Sequence, residues 1–473
     1  MSIAIDPVTS STLTPLQRLE ALCDPGSLTL IRSEVRSARL GDRARAGDGV
    51  LAGAGRIDGR PVYCYAQDPT FLGGSLGEAH ADSIVRVLRL AGRAGAPVVG
   101  FIDSGGARLQ EGSAALSGYA RIFREHVALS GKVPQVSVIC GPSAGGGSYS
   151  PALTDFVVMT EQARMFLTGP GIVREVMGED VDAETLGGPR VHDRNGVSHF
   201  TAAGDADAAW LVRELLSVLQ LPRHGGHSAP GIPPVPTEQR KAYDVRGVIR
   251  GMADEGWFLE YAPRWARNMV CGFARLGGRA VGVVANQPRY LGGVLCSDSA
   301  AKAARFVRTC NAFGVPLVVL VDTPGFLPGT QQEQGGVIRH GAKLVHAFAE
   351  ATVPRVTVVL RKAFGGAFIA MNARDLGADY VFAWPDAQIG VMGAQQAVSL
   401  VHRREIAAAA DPVAEKEQLA AAYADEHLRA QTAAAQGWVD ELVEPEDTRE
   451  RLIDALATLD GALVPAATRN LPL

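Results

Sequence analysis

The chain of 473 residues is written twice. Pro97-Val-Val-Gly-Phe-Ile-Asp103-Ser-Gly-Gly106, an apolar run closed by an acid and a glycine turn, returns 219 residues later as Pro316-Leu-Val-Val-Leu-Val-Asp322-Thr-Pro-Gly325. Val133-Pro-Gln-Val-Ser-Val-Ile-Cys140 returns as Val353-Pro-Arg-Val-Thr-Val-Val-Leu360, and Ser143-Ala-Gly-Gly146 as Ala363-Phe-Gly-Gly366, both at an offset of 220. A repeat on this scale decides domain organisation before any local reading does. Landmarks held in register over more than 40 residues predict two copies of one domain. The Pro- and Gly-rich stretch between them, residues 222–241, reads as a linker, leaving domains over residues 1–221 and 242–473.

Each Val/Ile-rich run, preceded by Pro and followed by Gly, reads as a strand buried on both faces, as a parallel sheet demands. Helical patterns alternate with these runs. Asp82–Ala91 and Ser299–Arg308 both precede a strand and carry apolar residues at helical spacing, with Arg or Lys predicted on the opposite face. The fold class is therefore α/β, internally duplicated. Near the end, Asp411 to Ala435 reads as one long, partly exposed helix.

Composition narrows the function. With 47% hydrophobic residues the chain has apolar material for two cores, and 46 Lys plus Arg against 50 Asp plus Glu give no basic field for nucleic acid or anionic lipid. The six cysteines form no C-x-x-C pair and read as reduced thiols. The opening residues MSIAIDPVTSSTLTP lack a basic segment followed by an apolar run, and no stretch approaches the roughly 20 apolar residues that span a bilayer, so a cytoplasmic protein is expected. There is no H-E-x-x-H and no G-x-x-x-x-G-K-[ST]. His224 and His227 stand close together in the linker without acids or cysteines around them, so no metal site is expected there. His340 and His346 are placed on a surface helix.

The glycine turns suit a particular chemistry. Ser104-Gly105-Gly106-Ala107-Arg108 falls where a buried strand should stop and a helix start, and Phe364-Gly365-Gly366-Ala367-Phe368 also follows a strand. Unpaired N–H groups and the positive end of a helix dipole at such a turn stabilise an oxyanion, and glycine lets a carbonyl oxygen come close. Ser143-Ala-Gly145-Gly146-Gly147 offers a further donor in the first copy. Any one turn alone reads first as a packing feature; two at matching positions suit a reaction between two enolate-like partners. Arg108 and Glu111 are read either as substrate contacts or as an ion pair at a helix start. Asp103 and Asp322 are read as capping the turns that follow them, not as general bases.

These motifs resemble the carboxyltransferase β subunits of biotin-dependent acyl-CoA carboxylases, the acetyl-/propionyl-CoA carboxylase family. The resemblance covers nearly the whole chain. It is carried by Asp103-Ser-Gly-Gly-Ala-Arg-Leu-Gln-Glu-Gly112, Gly145-Gly-Gly-Ser-Tyr-Ser-Pro-Ala-Leu-Thr-Asp155, Asp322-Thr-Pro-Gly-Phe-Leu-Pro-Gly329, Arg361-Lys-Ala-Phe-Gly-Gly-Ala-Phe368 and Val391-Met-Gly-Ala394. It implies two tandem crotonase-like domains (the ClpP/crotonase fold). The first would hold the acyl-CoA, with the N–H groups of Gly105 and Gly106 on the thioester carbonyl and Ser104, Ala107, Arg108, Gly145 and Gly146 around it. In the second, Gly366 and Ala367 would hold the ureido oxygen of biotin, with Phe364 and Gly365 beside them. The resemblance further implies a hexamer with active sites at dimer interfaces, a coenzyme A thioester as substrate and no metal in this subunit.

The chain has no Met-Lys-Met biotinylation site and no ATP-binding carboxylase module, so biotin must arrive on a biotinylated α subunit. Ile369 stands where propionyl-type relatives commonly carry Asp and where acyl preference is set, which implies acceptance of both acetyl-CoA and propionyl-CoA to give malonyl-CoA and methylmalonyl-CoA. The four-cysteine zinc ribbon of the other bacterial β-subunit type is absent. Two alternatives stand: the carboxyltransferase component of a decarboxylase or transcarboxylase, and an inactive acyl-CoA-binding scaffold, which loss of either glycine turn would favour.

Overall fold

In the computed structural model, residues 12–220, 228–462 and 469–472 are described. The opening residues 1–11 and the His224/His227 pair lie outside them. The Val/Ile-rich runs form strands as expected. In the first copy these are β1 (Thr29–Ile31), β2 (Val50–Ile57), β3 (Arg60–Gln67), β4 (Val98–Ser104), β5 (Gln135–Ala144), β6 (Phe156–Thr160), β7 (Arg164–Phe166) and β8 (Phe200–Ala202). The second copy has β9 (Phe258–Tyr261), β10 (Met269–Leu276), β11 (Arg279–Asn286), β12 (Leu317–Thr323), β13 (Arg355–Phe364), β14 (Tyr380–Ala383), β15 (Gln388–Gly390) and β16 (Glu441–Leu442).

The two sheets have one topology. Strands run β1-β2-β3-β4-β5-β6-β8 with β7 beside β5, and β9-β10-β11-β12-β13-β14-β16 with β15 beside β13. The first three strands of each are antiparallel and the rest pair in parallel. All residues of β4, β12 and β13 are buried, the mark of strands covered on both faces. Each sheet packs its own core. Val98, Ile102, Ile139 and Val157 meet Ile84 and Leu88 in the first, while Val318, Leu320, Val356 and Val358 meet Val248 and Leu452 in the second. Each such fully buried side chain contributes roughly 1.5–3 kcal/mol. The chain thus adopts the duplicated α/β fold, two tandem crotonase-like copies.

Three details depart from expectation. Ser297–Ala312 is helical, but its Lys302 and Arg305 are buried. Lys302 Nζ donates to the carbonyls of Ala262, Trp265 and Met269 at 2.9, 2.9 and 2.8 Å, closing the β9–β10 loop. Second, Asp411–Ala435 is not one helix: Pro412–Tyr423 passes into a π turn over Ala424–Leu428, and extended backbone at Arg429 (ψ 142) separates it from Ala430–Ala435. Third, the terminal residues 469–472 belong to the first compact unit, not the second, because Asn470 Nδ2 donates to Asp155 Oδ1 at 2.7 Å. All six cysteines are buried and unpaired in disulfides. His340 and His346 lie on the helix Val337–Glu350, the first half-buried and the second exposed. No described helix is long and apolar enough to cross a membrane.

Candidate active site

In both copies a central strand runs directly into a short helix: β5 into Gly146–Ala152, and β13 into Gly365–Ala370. The junction needs a left-handed residue, supplied by Gly145 (φ 57°) and Gly365 (φ 61°), where an L side chain costs roughly 1–2 kcal/mol. The following N–H groups, of Gly146 and Gly147 in the first copy and Gly366 and Ala367 in the second, open a helical turn and have no intrahelical acceptor. These pairs are repeat equivalents. Their settings differ, because a Cβ on Gly146 would stand 2.8 Å from Tyr119 Cγ, whereas one on Gly366 would meet nothing within 4 Å.

Gly105 and Gly106 are built differently from the expected helix start. Their repeat equivalents are Pro324 and Gly325, and the chain beyond them turns through Leu109–Glu111 before the helix Ser113–Leu129 begins. Gly105 N–H already donates to Gly73 O at 2.9 Å, and Gly106 N–H to Ser104 Oγ at 3.2 Å. Ala107 pairs with Leu76, as Phe326 does with Leu295 in the second copy. The turn leans on Leu72-Gly73-Gly74, three successive left-handed residues whose last would collide through any side chain with the Asp103 carbonyl. Leu291-Gly292-Gly293 repeats this at the same 219-residue offset, a landmark the sequence displays and the motif reading passed over.

Two side-chain expectations are corrected. Arg108 is no substrate contact through its guanidinium, which is fully buried: Nη1 donates to Asp48 Oδ1 at 2.7 Å and to Glu111 Oε1 at 2.8 Å, and Nη2 to the carbonyls of Asp48 and Ser75. Of the two readings offered by the sequence, the ion pair describes it. Asp103 and Asp322 do not cap their turns. The Asp103 carboxylate accepts both terminal nitrogens of Arg18 at 3.1 Å, and Asp322 accepts Arg361 Nε at 2.8 Å. Burial raises the Asp103 carboxyl above its ordinary pKa, against the opposing pull of Arg18.

Beside the second glycine turn lies a cavity of about 490 Å³. Gly365, Gly366 and Ile369 line one side and Ile389, His427 and Trp438 another. Ile369 is half exposed there. Arg374, also on the lining, donates to the carbonyl of Gly437 and so ties down the segment that carries Trp438. His427 and Trp438 escaped the sequence reading because they come more than 60 residues after the glycine turn, in segments without a recognisable motif. The walls combine apolar surface with a few polar groups, the usual make-up of a site for a small organic molecule.

The carboxyl transferase domain family matches residues 9–470. Among curated relatives, the propionyl-CoA carboxylase beta chain of Saccharopolyspora erythraea is 46% identical, covering 97% of this chain and 90% of the relative. The methylmalonyl-CoA decarboxylase subunit alpha of Propionigenium modestum is 43% identical over 98% of this chain and 94% of its own. Among solved structures, the transcarboxylase 12S hexamer, with methylmalonyl-coenzyme A and methylmalonic acid bound, superposes with a TM-score of 0.91 at 45% identity, covering 97% of this chain and 91% of that one. With this match spanning both copies and both glycine turns, the chain belongs to the carboxyl transferase domain family, as a carboxyltransferase subunit of the biotin-dependent acyl-CoA carboxylase group.

Proposed function

We propose that this chain moves a carboxyl group from carboxybiotin, carried by a biotinylated α subunit, to the α-carbon of propionyl-CoA and acetyl-CoA, giving methylmalonyl-CoA and malonyl-CoA. The observation that carries this is the pair of repeat-equivalent helix starts, Gly146–Gly147 and Gly366–Ala367. Two sets of fixed N–H donors serve two oxygens that gain negative charge: the thioester carbonyl of the acyl-CoA and the ureido oxygen of biotin. Preorganised backbone donors need no reorientation as charge develops, so no side-chain base is called for. In the first copy the free helix-start donors lie at Gly146 and Gly147, and Gly105, Gly106 and Ala107 form the adjoining wall of the acyl half-site. In the second, Gly366 and Ala367 would bind the ureido oxygen, with Phe364, Gly365 and the cavity beside Ile369 receiving the ring; when bound, biotin supplies the activated carboxyl group.

The bound species of the transcarboxylase 12S structure supports methylmalonyl-CoA as a ligand, and its hexamer supports assembly of this chain into the same kind of ring. Ile369 at the rim of the cavity is placed to set acyl preference; Ile369→Asp should shift the acetyl-CoA to propionyl-CoA ratio of kcat/KM by roughly 10-fold, the scale of about one methylene. Both glycine turns are intact, which counts against a silent scaffold. A decarboxylase assembly uses the same exchange in reverse, and the relative from P. modestum keeps that reading alongside; the partner subunit separates them. The test uses the isolated chain with methylmalonyl-CoA or malonyl-CoA, with and without free biotin. Loss of the carboxyl group that depends on biotin is the expected result; a folded oligomer that leaves both thioesters intact, even with a biotinylated α subunit added, would refute it.

A further inference from the structure

Each copy has a buried acid paired with a cation at the strand end beside its half-site, but the cation comes from a different place in each. In both sheets the register slips at the acid. Ile102 pairs with Ile139 and Ser104 with Ser143, so Asp103 faces an irregular stretch through Gly141; Val321 pairs with Val359 and Thr323 with Ala363, so Asp322 faces one through Arg361. Gly141 and Arg361 are repeat equivalents. Any side chain at Gly141 would collide with the Asp103 carboxylate, so the first copy has no room there for the second copy's solution.

In the second copy, Arg361 is 3% exposed and holds Asp322 through Nε. Its Nη1 donates to the carbonyls of Pro236, Glu238 and Lys241 at 3.1, 2.9 and 2.9 Å, and Lys362 Nζ donates to Gln239 O at 2.9 Å. The ends of β12 and β13 and the segment 236–241 are thereby one unit, two residues before Ala363-Phe364-Gly365. In the first copy the task falls to Arg18, 0% exposed, on the helix Pro15–Leu22. It grips Asp103 at the end of β4 and Asp205, through Nε at 2.7 Å, at the start of the helix Asp205–Gln220.

Neither guanidinium is free to meet substrate: Arg361 sits on β13, from which the Gly366–Ala367 donors depart, and Arg18 fixes the end of β4, next to β5 and its Gly146–Gly147 donors. We propose that Arg18 and Arg361 are positioning residues, each setting the geometry of one half-site independently of the other: Arg18 the acyl-CoA side and Arg361 the biotin side. This rests on the half-site reading given above. Buried Arg–carboxylate geometry is planar and directional, so replacement by Lys keeps the charge and loses the fork that spans strand and loop.

The test measures biotin-dependent decarboxylation of methylmalonyl-CoA by the full chain, varying each substrate in turn. Arg361→Lys should raise KM for biotin at least 10-fold and leave KM for methylmalonyl-CoA within twofold; Arg18→Lys should do the reverse. Because a lysine variant can fail to fold, the isosteric Asp322→Asn and Asp103→Asn are measured alongside and should show the same split more weakly. Equal effects on both constants, or loss of kcat and thermal stability with both constants unchanged, would overturn the positioning role and leave the half-site reading standing. A wild-type chain indifferent to biotin would remove that reading and this inference with it.

Discussion

The ring of Tyr119 packs directly against the backbone of Gly146, so closely that a Cβ on Gly146 would stand 2.8 Å from Tyr119 Cγ. The first helix start therefore tolerates glycine only, and the aromatic ring forms its floor.

Gly146→Ala must push the ring or the helix start aside. We expect kcat/KM for the acyl-CoA to fall about 100-fold, the usual cost of displacing one oxyanion donor. Gly366→Ala is the complementary experiment, since an added methyl there meets no atom within 4 Å. That variant should unfold at the wild-type temperature, and any rise in KM for biotin then reports occupation of the site and not damage to the fold.

Arg108 offers a test of stability against contact. Arg108→Met leaves Asp48 and Glu111 buried without their cation, and the unfolding free energy should drop by about 3–5 kcal/mol. Denaturant titration measures it. A variant of wild-type stability with a raised KM for acyl-CoA would instead restore Arg108 as a substrate contact.

Two buried histidines give the fold an acid limit. Burial drives His80 down to about 3 and His126 to about 4 from an ordinary 6.5. Both are neutral in the folded state, while the unfolded chain takes up protons as pH falls below 6.5. Their contribution is thus fully present above that pH and is lost progressively toward pH 3. The urea midpoint should decline over this window, and His80→Asn should flatten the decline.

Lys302 acts at the other end of the scale. Burial lowers its ammonium from 10.5 to about 8, so between these values the unfolded chain binds more protons and stability from this group rises with pH. Lys302→Met removes that slope but strands the carbonyls of Ala262, Trp265 and Met269, at a cost of roughly 1–3 kcal/mol for each buried group left unpaired. Thermal melts from pH 7 to 10 would show both effects.

The architecture was legible because duplication prints the same hydrophobic pattern twice: Pro97–Gly106 against Pro316–Gly325 placed β4 and β12, and Val133–Cys140 against Val353–Leu360 placed β5 and β13. The glycine turns were found, but the helix start was assigned to Gly105–Gly106 when the repeat itself aligns Gly365–Gly366 with Gly145–Gly146. Side-chain partners were out of reach for a different reason. Arg18 meets Asp103 and Asp205 at separations of 85 and 187 residues, which no local pattern encodes. Lys302 looked like the polar face of an amphipathic helix because periodicity registers charge but not the three carbonyls that satisfy it.

Duplicated genes often keep their halves alike by gene conversion, each copy serving as template for the other. Here that traffic would be harmful. Copying the β13 stretch into the first half would bring a second guanidinium onto Asp103, where Arg18 already sits and a glycine is required; the reverse transfer would strip Asp322 of Arg361 and release the carbonyls of Pro236, Glu238 and Lys241. Once the cation had moved to a different segment in each half, the halves ceased to be interchangeable parts and were committed to diverge.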